Sequence, residues 1–341
     1  MKREPASGNK RTASVVFSTL KGPRTGLERR TPAGASRGKM PAMAVIALCG
    51  INVLWAGTTV AAKVALEHIS PLTLAFFRFS LSAVLLYATS LALRIDLRVA
   101  KSDWGKFWVL GALGLACTYV CMYIGMQHTS ASHTALLIAS EPVFLSLFSA
   151  WRLHETMSTA KVRAIGLGLV GAYLIVANGL IPDISSRRVV GDLIITAGLV
   201  FESMSAVIGK RLIERYPPVT LITYEMTIGS LVLAPLCVWE LFCSDTHGQL
   251  VFTVSSAASL FYLIVPCTVI AYTVWYTVLG GRDIGEMSLF LYIQPVIGAF
   301  LGWHFLGDKI TVFTIIGAAL VLLSLVRLTS AGSTRTAADA R

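Results

Sequence analysis

Apolar runs separated by short polar turns fill the chain from Pro41 to Leu328. A helix that crosses a bilayer needs roughly 20 mainly apolar residues. Ten runs read as such spans: 43–65, 72–93, 107–125, 133–151, 162–178, 192–211, 219–241, 259–279, 287–306 and 310–328. The division of 107–151 into two helices rests on the polar turn Gln127-His128-Thr129-Ser130. The pattern therefore predicts an all-α membrane protein with ten transmembrane helices, flanked by tails at 1–41 and 329–341.

Parts of this pattern occur twice. Ser130 to Ser158 reads SASHTALLIASEPVFLSLFSAWRLHETMS, and Asp283 to Thr311 reads DIGEMSLFLYIQPVIGAFLGWHFLGDKIT. A shift of 153 residues carries Glu141 onto Gln294, Pro142 onto Pro295, Val143 onto Val296, Leu153 onto Leu306 and Glu155 onto Asp308. Earlier, KVALEHISPLTLAFFR (Lys63 to Arg78) matches KRLIERYPPVTLITYE (Lys210 to Glu225). Here a shift of 147 pairs Lys63 with Lys210, Pro71 with Pro218, Thr73 with Thr220 and Leu74 with Leu221. Residues 42–178 thus read as a five-span unit repeated over 192–328. Five is odd, so the two units enter the membrane in opposite directions. In such inverted repeats the substrate site lies near the bilayer midplane, between the halves.

Composition agrees with the pattern. The 341 residues are 55% hydrophobic and 14% charged, against about 25% charged in soluble domains, and the mean hydropathy is +0.70. The net charge of +11 does not indicate a nucleic-acid partner, because ten of the 29 Lys and Arg residues precede Pro41 and most others fall in short loops. Residues 1–39 are polar and basic and read as a disordered cytoplasmic tail. A transit peptide, or a start at Met40 or Met43, are the alternatives. With the N-terminus inside, only Arg187, Arg188 and Lys309 fall in outer loops, as the positive-inside rule requires. Both termini are then cytoplasmic.

Candidate chemistry sits at membrane depth. A charge near the centre of a span costs about 2.5–3.5 kcal/mol on insertion scales and usually marks function. Glu141 is read as a substrate ligand or proton carrier, with a paired structural carboxyl as the plainer alternative. Pro142 and its counterpart Pro295 are read as hinges, since proline removes a backbone hydrogen bond and kinks a helix. The carbonyl freed near residue 138 is then free to line a cavity. Glu202 and Trp55, which align, are read with Tyr272 as cavity residues, an internal pair being the plainer alternative for Glu202, and Ser203 and Ser205 lie beside Glu202 as Thr58 and Thr59 lie beside Trp55. Arg78 and Glu225 hold matching positions about two turns into spans 2 and 7, with opposite charge. This reading puts them near opposite membrane faces, with Arg78 either snorkelling to the interface or clamping a carboxylate or phosphate. Tyr119 and Tyr123, and Tyr272, Trp275 and Tyr276, sit at helical spacing as packing residues, interface anchors or cavity walls. Gly298 with Gly302, and Gly166, Gly168 and Gly171, suggest close helix packing.

The six cysteines form no CxxC and mostly lie in apolar runs, where a thiol behaves as a small hydrophobe. There is no HExxH, no GxxxxGK[ST] and no GxSxG, so ATP-driven pumping by this chain and metal or serine hydrolysis find no support. No catalytic residue, metal or cofactor is expected.

The run NVLWAGTTVAAKVALEHISPLTLAFFRF, the SASHTALLIASEPVFLSLFSAWRLHETMS motif and their second-half counterparts resemble the EamA family of the drug/metabolite transporter superfamily over residues 42–328. The resemblance implies a ten-helix inverted-repeat fold in a bacterial inner membrane and transport, often export, of small metabolites. Family members usually carry Trp where Glu202 stands and an uncharged residue at Glu225. The expected partners are a small-molecule substrate and the lipid bilayer, with a homodimer left open. The reading is a secondary exporter of a small metabolite, amino acid or drug by alternating access, coupled to protons through the membrane carboxyls. A polytopic enzyme acting on a lipid precursor, with His154-Glu155 and Arg282-Asp283 as its loop residues, and a passive facilitator of the same fold are the alternatives.

Overall fold

The computed structural model describes residues 40–129, 131–177, 186–243, 249–301 and 310–338. Residues 1–39, 130, 178–185, 244–248, 302–309 and 339–341, with Leu306, Asp308 and Lys309 among them, lie outside the described residues. Among those described, the chain is helical apart from loops and one isolated antiparallel bridge between Ile69 and Leu250. In chain order the helices are α1 (Ala42–Leu66, with a turn at Gly57), α2 (Pro71–Leu93), α3 (Lys101–His128), α4 (Ala131–Ile138), α5 (Glu141–Leu153) and α6 (Thr159–Ala177). Then follow α7 (Ser186–Ile213), α8 (Pro218–Phe242), α9 (Val254–Leu279), α10 (Ile284–Leu301) and α11 (Val312–Ala338). Eight of these are long and apolar enough to cross a bilayer, and α11 adds the shorter apolar stretch Val312–Val326. Large apolar side chains such as Ile46, Leu91, Phe242 and Val254 face outward, on a scale that soluble monomers avoid. The chain is an all-α, multi-pass membrane protein.

The expected single span 133–151 is instead two helices separated at Ala139 and Ser140. Pro142 has no N–H to give and its ring clashes with the carbonyl four residues back. The chain turns tightly instead, with Val143 N–H donating to the Ser140 carbonyl at 3.0 Å, and the helix restarts at Glu141. Two other spans hold irregular turns: π-helix at Leu110–Cys117 in α3 and Val265–Ile270 in α9. α10 begins three residues before the expected 287 and contains a 3₁₀ segment, Ser288–Tyr292. α11 continues to Ala338, into the stretch read as a tail.

Helix pairs α6–α11, α2–α8 and α3–α7 pack most extensively. Small residues set the closest crossing. A Cβ built on Gly171 of α6 would stand 2.6 Å from the Gly317 carbonyl oxygen of α11. Gly168 abuts Tyr292. The expectation for Gly298 and Gly166 fails, because nothing lies within 4 Å of a Cβ on either. Gly302 lies outside the described residues.

Side chains seal the helix ends. Lys63 Nζ donates to the carbonyls of Met126 (2.7 Å) and Thr129 (3.3 Å) at the end of α3. Lys210 Nζ donates to those of Leu279 (2.6 Å) and Arg282 (2.8 Å) at the end of α9. These carbonyls have no partner inside their helices. Glu240 near the end of α8 accepts from the backbone N–H groups of Leu72 and Thr73 and from the Thr73 hydroxyl. His154 ends α5 in the left-handed region at φ 56°, and the turn swings Glu155 onto the start of α10. There Glu155 accepts from Ile284 N–H (2.9 Å) and Gly285 N–H (3.1 Å) and pairs with Lys161 (3.5 Å). Asp103 ties α3 to the turn before α8 through Arg215 (3.0 Å) and the Tyr216 hydroxyl (2.8 Å).

Candidate functional site

The helices enclose a cavity of about 130 Å³. All six residues singled out in the sequence for binding or coupling line it: Trp55 of α1, Arg78 of α2, Glu141 of α5, Glu202 of α7, Glu225 of α8 and Tyr272 of α9. Tyr119, Tyr123, Trp275 and Tyr276 are on the same wall rather than at a lipid interface. The break between α4 and α5 brings Ile138 and Glu141 to the cavity together. Pro142 is buried just behind Glu141, and Pro295 follows Gln294, which also faces the cavity.

The lining is made of paired positions. The two sequence shifts relate eighteen of the lining residues as nine pairs. At 147 these are Trp55 and Glu202, Thr58 and Ser205, Thr59 and Ala206, and Arg78 and Glu225. At 153 they are Tyr119 and Tyr272, Met122 and Trp275, Tyr123 and Tyr276, Ile138 and Leu291, and Glu141 and Gln294.

Two expectations about Arg78 are corrected. It does not snorkel: it is fully buried, and Nε donates to Thr268 Oγ1 (3.0 Å) while a terminal guanidinium nitrogen donates to the Tyr123 hydroxyl (2.9 Å). Its guanidinium carbon lies 4.9 Å from the Phe79 ring centre and 4.7 Å from that of Tyr119, so ring faces replace water as its surroundings. Nor do Arg78 and Glu225 stand apart at opposite faces, since both reach one cavity. Two turns advance a helix by about 11 Å, enough to carry each from its own end to the middle. Glu225 is also buried, its carboxyl stands beside the Tyr276 hydroxyl, and its Oε2 has no hydrogen-bond partner among the described residues.

Glu141 and Glu202 are half-buried and within electrostatic reach of each other. Among the described residues neither carboxylate makes a hydrogen bond or ion pair. The aromatic side of the cavity is well fixed. Trp55 Nε1 donates to the Cys267 carbonyl at 3.0 Å, and its ring stands 5.8 Å from Tyr272 and 5.6 Å from Trp275. Tyr119 and Tyr272 meet through their hydroxyls at 2.8 Å.

Three contributors escaped the sequence reading. Gln294 was visible only as the counterpart of Glu141, yet its Nε2 donates to Asn52 Oδ1 (3.0 Å) and ties the middle of α10 to α1. Asn52, fully buried, carried the signal of a lone amide in an apolar run. Thr268, which is fully buried and holds Arg78 from a π-turn, carried none. His154-Glu155 and Arg282-Asp283 are built into helix ends and form no catalytic cluster. Among the described residues no group of three His, Cys, Asp or Glu side chains is placed to hold a metal.

The model of the EamA-like transporter family matches residues 42–177 and again 189–330. An uncharacterized transporter of Archaeoglobus fulgidus is 28% identical over 280 residues, covering 82% of this chain and 94% of its own. The uncharacterized transporter YyaM of Bacillus subtilis is 28% identical over 294 residues, covering 85% and 94%. A protein of Streptantibioticus cattleyicolor named "Probable terminal-alkyne amino-acid exporter" is 26% identical over 278 residues, covering 81% and 90%. A solved crystal structure superposes with a TM-score of 0.73 at 20% identity, over 86% of this chain and 99% of that one, which is a likeness of fold.

Proposed function

The chain belongs to the EamA-like transporter family, a membrane transporter rather than an enzyme, and from that premise we propose that it is a secondary exporter of a small metabolite working by alternating access. Ten spans, with α4 and α5 as one broken span, form two inverted five-helix halves, at 42–178 and 192–328. The substrate rests in the cavity between them. The nine shift-related pairs on the cavity wall support this arrangement. The flanks 1–41 and 329–341 are cytoplasmic, and the protein sits in the cell inner membrane with basic loops inside. Opening alternates around the α4–α5 break at Pro142 and its counterpart in α10 at Pro295. Transport runs against proton entry, with Glu141 and Glu202 exchanging protons for substrate.

The observation that carries the reading is the state of Glu141 and Glu202: two carboxylates facing one cavity with no fixed partner. Inside a bundle such groups need a proton, water or a ligand. A relative named as an amino-acid exporter supports export of a small polar solute.

The test is untargeted metabolite profiling of medium and cytosol from cells expressing the wild type or Glu141→Gln at equal membrane abundance. One compound class is expected to accumulate outside with the wild type only. Equal export by both proteins would remove Glu141 from the coupling. No change in any pool would overturn the exporter reading. Export that ignores the external pH would favour a passive facilitator.

A further inference from the structure

We propose that the cavity selects a small organic cation, an amine whose ammonium group sits among Glu141, Glu202 and Glu225 and whose apolar body lies against Trp55, Tyr272 and Trp275. The inference rests on the reading of this cavity as the transport site and names the class of solute it takes.

Among the described residues the wall carries three carboxyl groups and one guanidinium. Glu141 and Glu202 are half-buried and open to it, without a hydrogen bond or ion pair among the described residues. Glu225 is 3% exposed, lines the cavity and leaves Oε2 unpartnered. A buried oxygen without a partner is costly, and an ammonium group, with three donors, would satisfy it.

The single cation of the wall is withdrawn from a ligand. Arg78 is 0% exposed, two of its nitrogens are taken by Thr268 and Tyr123, and the rings of Phe79 and Tyr119 cover its guanidinium. A ligand carboxylate would have to break those contacts to reach it, and would share the cavity with three carboxyl groups. Counted formally, three carboxylates and one guanidinium leave a charge of −2, which a cation lowers and a zwitterion does not. The Trp55 ring centre lies 5.8 Å from that of Tyr272 and 5.6 Å from that of Trp275, and aromatic rings suit a cation or an aromatic body.

Three probes share one phenyl body and differ in charge: phenethylamine, phenylalanine and 3-phenylpropionate. Calorimetric titration of the purified wild type is expected to show phenethylamine binding at least tenfold more tightly than phenylalanine, with no heat from 3-phenylpropionate. Glu225→Gln and Glu202→Gln, each checked for a monodisperse peak, are expected to weaken phenethylamine at least tenfold. Phenylalanine binding as tightly as the amine, or no amine binding at all, overturns the assignment, and because these results come from the wild type they do not depend on a variant folding. Counterflow of labelled phenethylamine in proteoliposomes separates the two claims. Amine binding without counterflow supports the cation site and overturns transport through it. Exchange of phenylalanine without amine binding overturns the cation assignment and leaves transport standing.

Discussion

Tyr119 and Tyr272 meet hydroxyl to hydroxyl at 2.8 Å, and the 153 residues between them are the shift that carries Glu141 onto Gln294. The neighbours of the pair meet opposite charges: Tyr123 accepts a hydrogen bond from Arg78, and Tyr276 stands beside Glu225. The contact gives a direct prediction. Tyr119→Phe and Tyr272→Phe each leave one hydroxyl alone, at about 1 kcal/mol for a lost hydrogen bond. The double variant removes both and is expected to cost clearly less than the sum of the singles. Thermal unfolding of the four proteins in detergent measures the coupling, and strict additivity would show that the contact contributes nothing.

Lys63 and Lys210, also equivalent by shift, close the C-terminal ends of α3 and α9. Lys63→Met and Lys210→Met are each expected to destabilise by about 1.5–3 kcal/mol, the range for hydrogen bonds to a charged group. The two effects should add, because the sites share no partner. Melting temperatures of the singles and the double decide it.

Gly171 and Gly298 look alike in the sequence and differ in the fold. Gly171→Leu should fail to assemble or unfold early, because a Cβ there already meets the Gly317 carbonyl at 2.6 Å. Gly298→Ala, with nothing within 4 Å, should be neutral or gain up to about 1 kcal/mol from helix propensity. Detergent-resistant folded yield reads out both.

Asp283, in the turn between α9 and α10, sets a pH dependence. Burial pushes its carboxyl above the ordinary value, Glu155 adds to the shift, and Lys161, Lys210 and Arg282 oppose it. A raised carboxyl binds its proton more readily folded than unfolded. Its contribution is therefore most favourable below the unfolded value, near pH 4, and is lost as pH rises through the folded one. Asp283→Asn should melt higher than wild type at pH 7, and the difference should vanish near pH 4. A difference that grows on acidification would show that the opposing cations dominate.

Much of the cavity was legible because polar and aromatic residues inside apolar runs are rare and stand out. Trp55, Arg78, Glu141, Glu202, Glu225 and Tyr272 stood out as polar or aromatic residues at membrane depth, and all face one cavity. Depth along a helix was misjudged for Arg78 and Glu225, because two turns, about 11 Å, already carry a residue from a helix end to the middle of a span. The break before Glu141 was read as a kink, since propensity shows that proline disrupts a helix but not whether neighbours let it separate. The grip of Glu240 on the start of α2 spans 167 residues for the Thr73 bonds and left no local signal. Thr268 reaches Arg78 from a π-turn that composition does not mark.

The most direct test of the account asks whether one cavity position reaches both sides of the membrane. Thr59 and Ala206, an equivalent pair on the cavity wall, are each replaced by Cys in a background without the six native thiols. A membrane-impermeant maleimide is then added to right-side-out and to inside-out vesicles. Alternating access predicts that each single Cys is labelled from both sides. Labelling of both positions from one side only, in both vesicle orientations, would contradict it.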